Sequence, residues 1–253
     1  MYDNPYEYDI ENEDVVDDIT FWAEAAKRYR AKRILELACG TGRLAIPLSK
    51  AGFSVTGLDI NKGMLERCSL KLAKEGEDTQ KNLTLHLCDM RDFDFNEAFD
   101  LIFIGFNSAN HLLSIEDQLR VFKCVHKHLA TGGRFMLDVH SPNLSLLAAA
   151  MDSQTELKLV TDFYVSDSGS RIQQYNSRKY SPEEQLWSMP KKSNSKASEK
   201  MRTTTDDVHV YFPRELHLLH MHSGFEVEDV YGDYSFGEFN SSSPRMIFVG
   251  RKV

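Results

Sequence analysis

Three things are missing from this sequence, and each removes a class of function. No apolar run approaches the roughly 20 residues needed to cross a bilayer, so no membrane-spanning helix is expected. The four cysteines, Cys39, Cys68, Cys88 and Cys124, include no C-x-x-C pair, and a chain of 253 residues does not depend on disulfides, so a reducing compartment fits. Basic charge is in deficit: 30 Lys and Arg against 38 Asp and Glu leave a formal net charge of −8. That balance gives no overall attraction to phosphate backbones or anionic lipid, so neither nucleic acid nor a membrane is expected as a partner. The opening MYDNPYEYDIENEDVVDD also lacks the basic and apolar regions of a secretory signal, which leaves the cytoplasm as the expected location.

What the sequence does have is an alternation of short apolar runs with amphipathic segments. VVDDITFWAEAAKRY spaces Val15, Ile19, Phe21, Trp22, Ala25 and Ala26 as one face of a helix. RILELA, FSVTGLDI, LTLHLCD, FDLIFIGF and RFMLDVHS read as strands. RLAIPLSKAG, a segment beginning near Asn61, and SIEDQLRVFKCVHKHLATGG read as helices among them. This order predicts βαβ units and a parallel sheet covered on both faces. Over 156–211 the pattern turns to the apolar–polar alternation of antiparallel strands, within which 190–205 (PKKSNSKASEKMRTTT) is expected to be a mobile loop. PRELHLLHMHSGF restores a helix, with Pro213 near its first position and Gly224 as its stop, and EVEDVYGDY and PRMIFVGRKV predict an antiparallel hairpin. The predicted fold class is α/β: a doubly wound, mostly parallel seven-stranded sheet with a closing antiparallel hairpin and an inserted antiparallel β lid. Residues 1–150 and 212–253 are expected to form the core, and 151–211 the lid.

The most informative stretch is LELACGTGRLAIPL, residues 35–48. Glycines between a strand and a helix let the backbone approach a ligand and turn unpaired helix N–H groups toward it. Gly40, Gly42 and Ala45 meet the dinucleotide fingerprint formally, and Asp59 follows at about the spacing of a ribose-binding acid. Such an acid fixes an adenosine, not the rest of the ligand. Glu36 discriminates, because a carboxylate just before the loop repels a pyrophosphate and favours a ligand carrying sulfonium and ammonium charges. At an effective dielectric of about 20, unlike charges about 4 Å apart attract by roughly 4 kcal/mol before desolvation, enough to choose between the two.

These residues resemble the class I S-adenosylmethionine-dependent methyltransferases, of the small-molecule N- or O-methylating type. ELACGTG matches the family's acid-x-Gly-x-Gly-x-Gly motif with Ala38 in the first glycine position, a substitution expected to be tolerated where the backbone does not need positive φ. The resemblance implies S-adenosylmethionine as cofactor, held by Glu36, Ala38, Gly40 and Gly42, with Asp59 and Ile60 of GLDI at the ribose. It likewise implies that Asp89 and Met90 of CDMRDF flank the adenine. FDLIFIGFNSANHL matches the fourth strand and the loop beneath the methionine part, where Asn107 would accept from the cofactor's amino group. LATGGRFMLDV matches the turn into the fifth strand, and SGFEVEDVYGDYSFGEFNSSSPRMIFVGRK the closing hairpin. Tyr2 and Tyr8, with Tyr6, are placed to close over the cofactor as N-terminal segments do in these enzymes. His111 and His140 are the acid–base candidates, since both follow strands at the carboxyl ends where open α/β sheets bind ligands. The implied acceptor is a small molecule taken by the lid; its identity and the oligomeric state have no signature in the sequence.

Plainer readings stand beside these. Met90 could fill core space, the N-terminal tyrosines could be surface aromatics on a frayed end, and the two histidines could be local hydrogen-bonding groups. Asp92 and Asp94 read as solvated acids, and Cys39 as a small residue that fits its loop. His217 and His220 share a helical face, but no acidic or cysteine partner accompanies them, so no metal is expected. The lysines at 191, 192, 196 and 200, with Arg202, lack interleaved aromatics for RNA and read as a solvated loop. Trp187, Tyr164, Tyr175 and Tyr180 are lid core or substrate wall. Three competing functions are methylation of RNA, DNA or protein, dehydrogenation with NAD, and cofactor binding without catalysis. FNSAN is not the Asn/Asp-Pro-Pro-aromatic loop of amino-methylating nucleic-acid enzymes, and Glu36 with the closing hairpin opposes NAD.

Overall fold

The computed structural model describes residues 4–12, 14–151, 158–165, 170–195 and 198–253, with side chains outside 158–176 and 191–204. In chain order α1 (Pro5–Asn12) and α2 (Asp17–Arg28) precede β1 (Arg33–Leu37), α3 (Ala45–Lys50), β2 (Ser54–Asp59), α4 (Lys62–Leu72), α5 (Glu77–Asn82), β3 (Leu83–Leu87) and β4 (Phe99–Ile104). A 3-10 turn, Ser108–His111, leads to α6 (Ile115–His128) and β5 (Leu129–His140). Then come α7 (Leu144–Met151), β6 (Lys158–Val165), β7 (Ser170–Asn176), β8 (Lys179–Ser181), β9 (Leu186–Ser195) and β10 (Ser198–His209). The chain closes with α8 (Pro213–His222), β11 (Phe225–Tyr231) and β12 (Arg245–Lys252). It divides into two compact units, Met1–Ala109 with Ser114–Ser141 and Phe212–Val253, and Asn110–Leu113 with Pro142–Tyr211.

The first unit is built on a seven-stranded sheet in the order β11-β12-β5-β4-β1-β2-β3. All neighbours from β5 to β3 run parallel, and β12 alone runs against both β5 and β11. Strands covered on both faces need apolar residues at every position, which is why β1, β4 and β12 read as near-continuous hydrophobic runs. Chain order reverses between β1 and β4, so the loops leaving these two strands diverge and open the crevice where such sheets take ligands.

Local sequence explains the helices that frame this crevice. Asp17 and Asp18 open α2 and Lys27 and Arg28 close it, each sign matching the helix dipole, while Phe21, Trp22, Ala25 and Ala26 form its buried face. Trp22 stacks on Phe103 of β4 with ring centroids 4.2 Å apart. Asn61 caps α4 by accepting from the Met64 amide at 3.2 Å, and Ser114 caps α6 by accepting from the Asp117 amide at 3.1 Å. Pro213 opens α8, and Gly224 ends it at φ +80°.

The opposite face of the sheet encloses His220, which is fully buried among Phe122, Phe135, Phe225 and Phe248. Its Nδ1 hydrogen-bonds the Leu216 carbonyl at 2.7 Å, and burial holds its pKa down to about 4. His217 is exposed and edges onto Phe248, and His222 is exposed too, so of the HLLHMH histidines only His220 belongs to the core. Among the described residues no group of three or more His, Cys, Asp and Glu is placed to hold a metal, and no helix is long and apolar enough to cross a membrane.

The second unit carries an antiparallel sheet in the order β10-β9-β7-β6, with β8 added on β9. Here one expectation is corrected. Most of 190–205 is not a loop: Lys191 pairs with Thr204, Lys192 with Thr203 and Pro190 with Thr205 in the β9–β10 ladder. The low apolar content that suggested a loop describes side chains, whereas the ladder is made by backbone groups, and the threonine run has β-branched residues suited to it. Tyr180 and Trp187 stand opposite each other across β8–β9, and both are buried. The Tyr164 and Tyr175 side chains, and the basic ones of 191–202, lie outside the described residues. Helices α1, α5 and α7 were not anticipated, and β5 begins at Leu129, five residues before the expected strand.

Candidate functional site

The glycine loop follows β1 and turns on left-handed backbone: Ala38 at φ +59°, Gly40 at +55° and Gly42 at +77°. Gly42 has no alternative, since a Cβ there would lie 2.4 Å from the Cys68 sulfur. Ala38 departs from the condition set for it by sequence: the backbone does need positive φ, and an alanine held there carries a strain of about 1–2 kcal/mol. The loop is tied to β2 by Cys39 N–H donating to the Leu58 carbonyl at 2.9 Å and Gly40 N–H donating to Asp59 Oδ2 at 2.8 Å. The Asn61 amide donates to Asp59 Oδ1 at 2.8 Å. Burial raises the Asp59 pKa against the pull of backbone donors at Asn61, Gly40 and Ile60. The adjoining Ile60 is 65% exposed, as an apolar wall for a ligand must be.

Glu36 is buried in β1, and its Oε2 has no hydrogen-bond partner among the described residues. Burial pushes its carboxyl well above the usual range; Arg43 opposes that shift, and Asp18 and Asp59 add to it. Arg43 is clasped by Asp18, with Nη1 and Nη2 donating to Oδ1 and Oδ2 at 2.7 and 2.6 Å. Its guanidinium lies 4.1 Å from the centre of the Phe106 ring.

Helix α1 docks on the same loop. Asp9 accepts from Thr41 Oγ1 at 2.6 Å, Arg67 Nε at 2.7 Å and Lys71 Nζ at 2.9 Å. Burial works to raise the Asp9 carboxyl, but these three bonds outweigh it and hold the pKa low. Tyr8, on the same helix, is half-buried; burial raises its phenol, and a hydrogen bond with Arg43 opposes the rise. The N-terminus is thus a helix latched by a carboxylate, and Asn4-Pro5 was the legible signal: Asn4 Oδ1 accepts from the Tyr6 amide at 3.1 Å, as an N-cap before an N1 proline does. Tyr2 lies outside the described residues.

The remaining candidates are spread along other strand ends. Asp89 accepts two bonds from Arg91 Nε, both at 3.0 Å, and one from Nη2 at 2.6 Å, and this pairing lowers its pKa. Arg91 also reaches Asp117 at 2.8 Å, and Met90 is half-buried beside it. Asn107 has φ +63°, directly after Phe106 at +51°, and its Oδ1 already accepts from Arg245 Nη2 at 2.9 Å. Sequence reasoning missed the group that holds this turn. Asp138, fully buried on β5, accepts from the Phe106 amide at 3.0 Å, from Tyr234 Oη at 2.9 Å and from Arg245 Nε at 2.6 Å. His140 ends β5, and its pKa is lowered by burial and by the Arg245 charge. His111 belongs to the second unit, where burial lowers its pKa and Asp206 opposes the change; beside it Asn110 Nδ2 donates to the His209 carbonyl at 2.6 Å. Within the first unit the structure therefore brings together Glu36, the glycine loop, Asp59 and Tyr8, through Arg43 and α1.

Residues 34–133 match the family model of the methyltransferase domain. YqeM of Bacillus subtilis (strain 168), whose methyltransferase name is provisional, is 38% identical over 126 residues, covering 49% of each chain. The dTDP-4-amino-2,3,4,6-tetradeoxy-D-glucose N,N-dimethyltransferase of Saccharopolyspora spinosa is 30% identical over 103 residues, 41% of this chain and 38% of that one. The chain thus matches about half the length, or less, of these curated relatives. A solved S-adenosylmethionine-dependent methyltransferase from Clostridium acetobutylicum ATCC 824 superposes with TM-score 0.75 at 22% identity, covering 98% of this chain and 96% of that one. CalS10, an amino pentose methyltransferase from Micromonospora echinaspora solved with S-adenosylmethionine bound, gives 0.69 at 20%, covering 100% and 98%.

Proposed function

With residues 34–133 matched as a methyltransferase domain on the class I S-adenosylmethionine-dependent fold, we propose that the chain transfers the methyl group of S-adenosylmethionine to a nitrogen or oxygen of a small molecule. The observation that carries this is Glu36: a buried carboxylate with an unpartnered oxygen, two residues before a left-handed glycine loop, fits a cationic adenosyl ligand and opposes a diphosphate. When bound, the cofactor supplies an electrophilic methyl on sulfur. The chain's own residues then bind, orient and exclude water. Glu36 takes the ammonium, Asp59 the ribose hydroxyls beside Ile60, and Asp89 with Met90 the adenine edge. Gly40 and Gly42 let the backbone come close, and Tyr8 on α1 shields the site from water. Because their pKa values are depressed, His140 and His111 are neutral at pH 7 and able to accept the proton an amine or hydroxyl acceptor must lose. Residues 151–211 are assigned to acceptor binding, and nitrogen is the favoured acceptor atom, in keeping with the names of the sugar N-methyltransferase relatives. The four free thiols fit a cytoplasmic setting.

Calorimetry with S-adenosylmethionine and S-adenosylhomocysteine tests the reading. Wild type should bind both. Asp59→Ala, which removes a charged acceptor worth about 1.5–3 kcal/mol, should bind at least about tenfold more weakly. No binding by wild type, or undiminished binding by Asp59→Ala, overturns it.

A further inference from the structure

Two buried polar atoms of opposite charge near the glycine loop, Glu36 Oε2 and Arg43 Nε, have no hydrogen-bond partner among the described residues. Each side chain is within reach of the other's field, since Arg43 pulls the Glu36 pKa down and Glu36 pushes the Arg43 pKa up. Yet they do not pair. The reason is Asp18, wholly buried on α2, which takes both terminal nitrogens of Arg43 in a two-point clasp. Arg43 Nη1 is also held by the Val15 carbonyl at 3.1 Å, and the guanidinium face is covered by Phe106.

We propose that Asp18 is a positioning residue for the cofactor: by pinning Arg43 it keeps the Glu36 carboxylate available to the ammonium group of the cofactor's amino-acid end. The proposal rests on the function given above. Burial favours the protonated form of Glu36; once an arriving cation draws that proton off, Asp18, Arg43 and Glu36 together carry one net negative charge for it to meet. Without the Asp18 charge the sum is zero, and Glu36 is a carboxylate whose charge acts on the released guanidinium. Such a contact competes with a ligand that must also give up its freedom on binding. A planar guanidinium is suited to this arrangement, because a clasp at both terminal nitrogens fixes its direction as well as its place.

Two probes separate this role from general damage. S-adenosylhomocysteine carries the ammonium; 5′-methylthioadenosine has the same nucleoside without the amino-acid end. Calorimetry on Asp18→Asn should show S-adenosylhomocysteine bound about tenfold or more weakly, with methylthioadenosine unchanged within about twofold. The double variant Asp18→Asn/Arg43→Met, which removes the competing cation as well, should recover S-adenosylhomocysteine affinity to within a few-fold of wild type. Unchanged S-adenosylhomocysteine binding by Asp18→Asn, or an equal loss of both probes, overturns the proposal. Should Asp18→Asn not fold, the double variant decides alone: an about tenfold selective loss of S-adenosylhomocysteine would mean that Arg43 itself is needed, against the proposal. A wild type that binds neither probe overturns the function first, and this inference with it.

Discussion

Glu36 and Asp138 are buried carboxylates on strands of one sheet, and they are treated in opposite ways. Asp138 on β5 receives a backbone amide, a tyrosine hydroxyl and an arginine, so both oxygens are used. Glu36 on β1 keeps one oxygen with no partner, and the nearby guanidinium is spent on Asp18. A buried charge that is paired and hydrogen-bonded serves the fold; one left open costs stability and persists only if something outside the chain completes it. The closing hairpin is therefore architecture for the turn at Phe106 and Asn107, while at the β1 end a carboxylate oxygen is left open, as the proposed cationic ligand requires.

The contrast breaks most visibly at Asp138. Asp138→Ala leaves the Arg245 guanidinium buried without its carboxylate and frees the two consecutive left-handed residues, so unfolding free energy should fall by about 3–5 kcal/mol. Urea denaturation reads this directly, and a loss below about 1 kcal/mol would mean that Asp138 is no more than a replaceable polar residue.

Glu36→Gln sharpens the comparison in the other direction, with a smaller effect. Burial raises the Glu36 carboxyl, so the native state holds its proton to higher pH than the unfolded chain does. Stability from this group is full below the ordinary carboxyl value near 4.5 and is lost as pH rises through the raised native value. The glutamine variant should lack this decline and gain about 1 kcal/mol near pH 7, while binding S-adenosylhomocysteine more weakly. Melting temperatures across a pH series check the slope, and parallel curves for the two proteins would place the Glu36 charge in solvent.

What could be read from sequence divides along the same line. Glu36, Asp59 and the glycines were legible because their spacing along one βαβ unit is set by local geometry, and the caps at Asn61 and Ser114 act over three residues. Asp18, Asp9 and Asp138 were not, because their partners lie 25, 32, 58, 62 and 107 residues away and are brought in by tertiary packing. The strands within 190–205 escaped for another reason: threonine, serine and lysine satisfy a backbone ladder as well as a loop, and only the pairing partner distinguishes the two.

The smallest effect is expected at Ala38, where local sequence gave no warning of left-handed backbone. Of the three loop positions with positive φ, Gly42 admits no side chain, since a Cβ would collide with Cys68. At Gly40 the nearest atom to such a Cβ is the Met64 terminal methyl at 3.9 Å, so space is not what selects glycine there. Ala38 shows that the loop accepts a methyl at one of the three at the cost of strain. Ala38→Gly removes that strain, about 1–2 kcal/mol, but gives the unfolded chain more freedom, about 0.4–1 kcal/mol, and the difference leaves the variant more stable by roughly 0.5–1 kcal/mol. Because the backbone path is already the one glycine prefers, S-adenosylhomocysteine affinity should stay within about twofold of wild type. Paired denaturation and calorimetry distinguish strain relief from a redrawn site: a gain in stability accompanied by lost affinity would show that the methyl of Ala38, and not only its backbone, shapes the mouth of the loop.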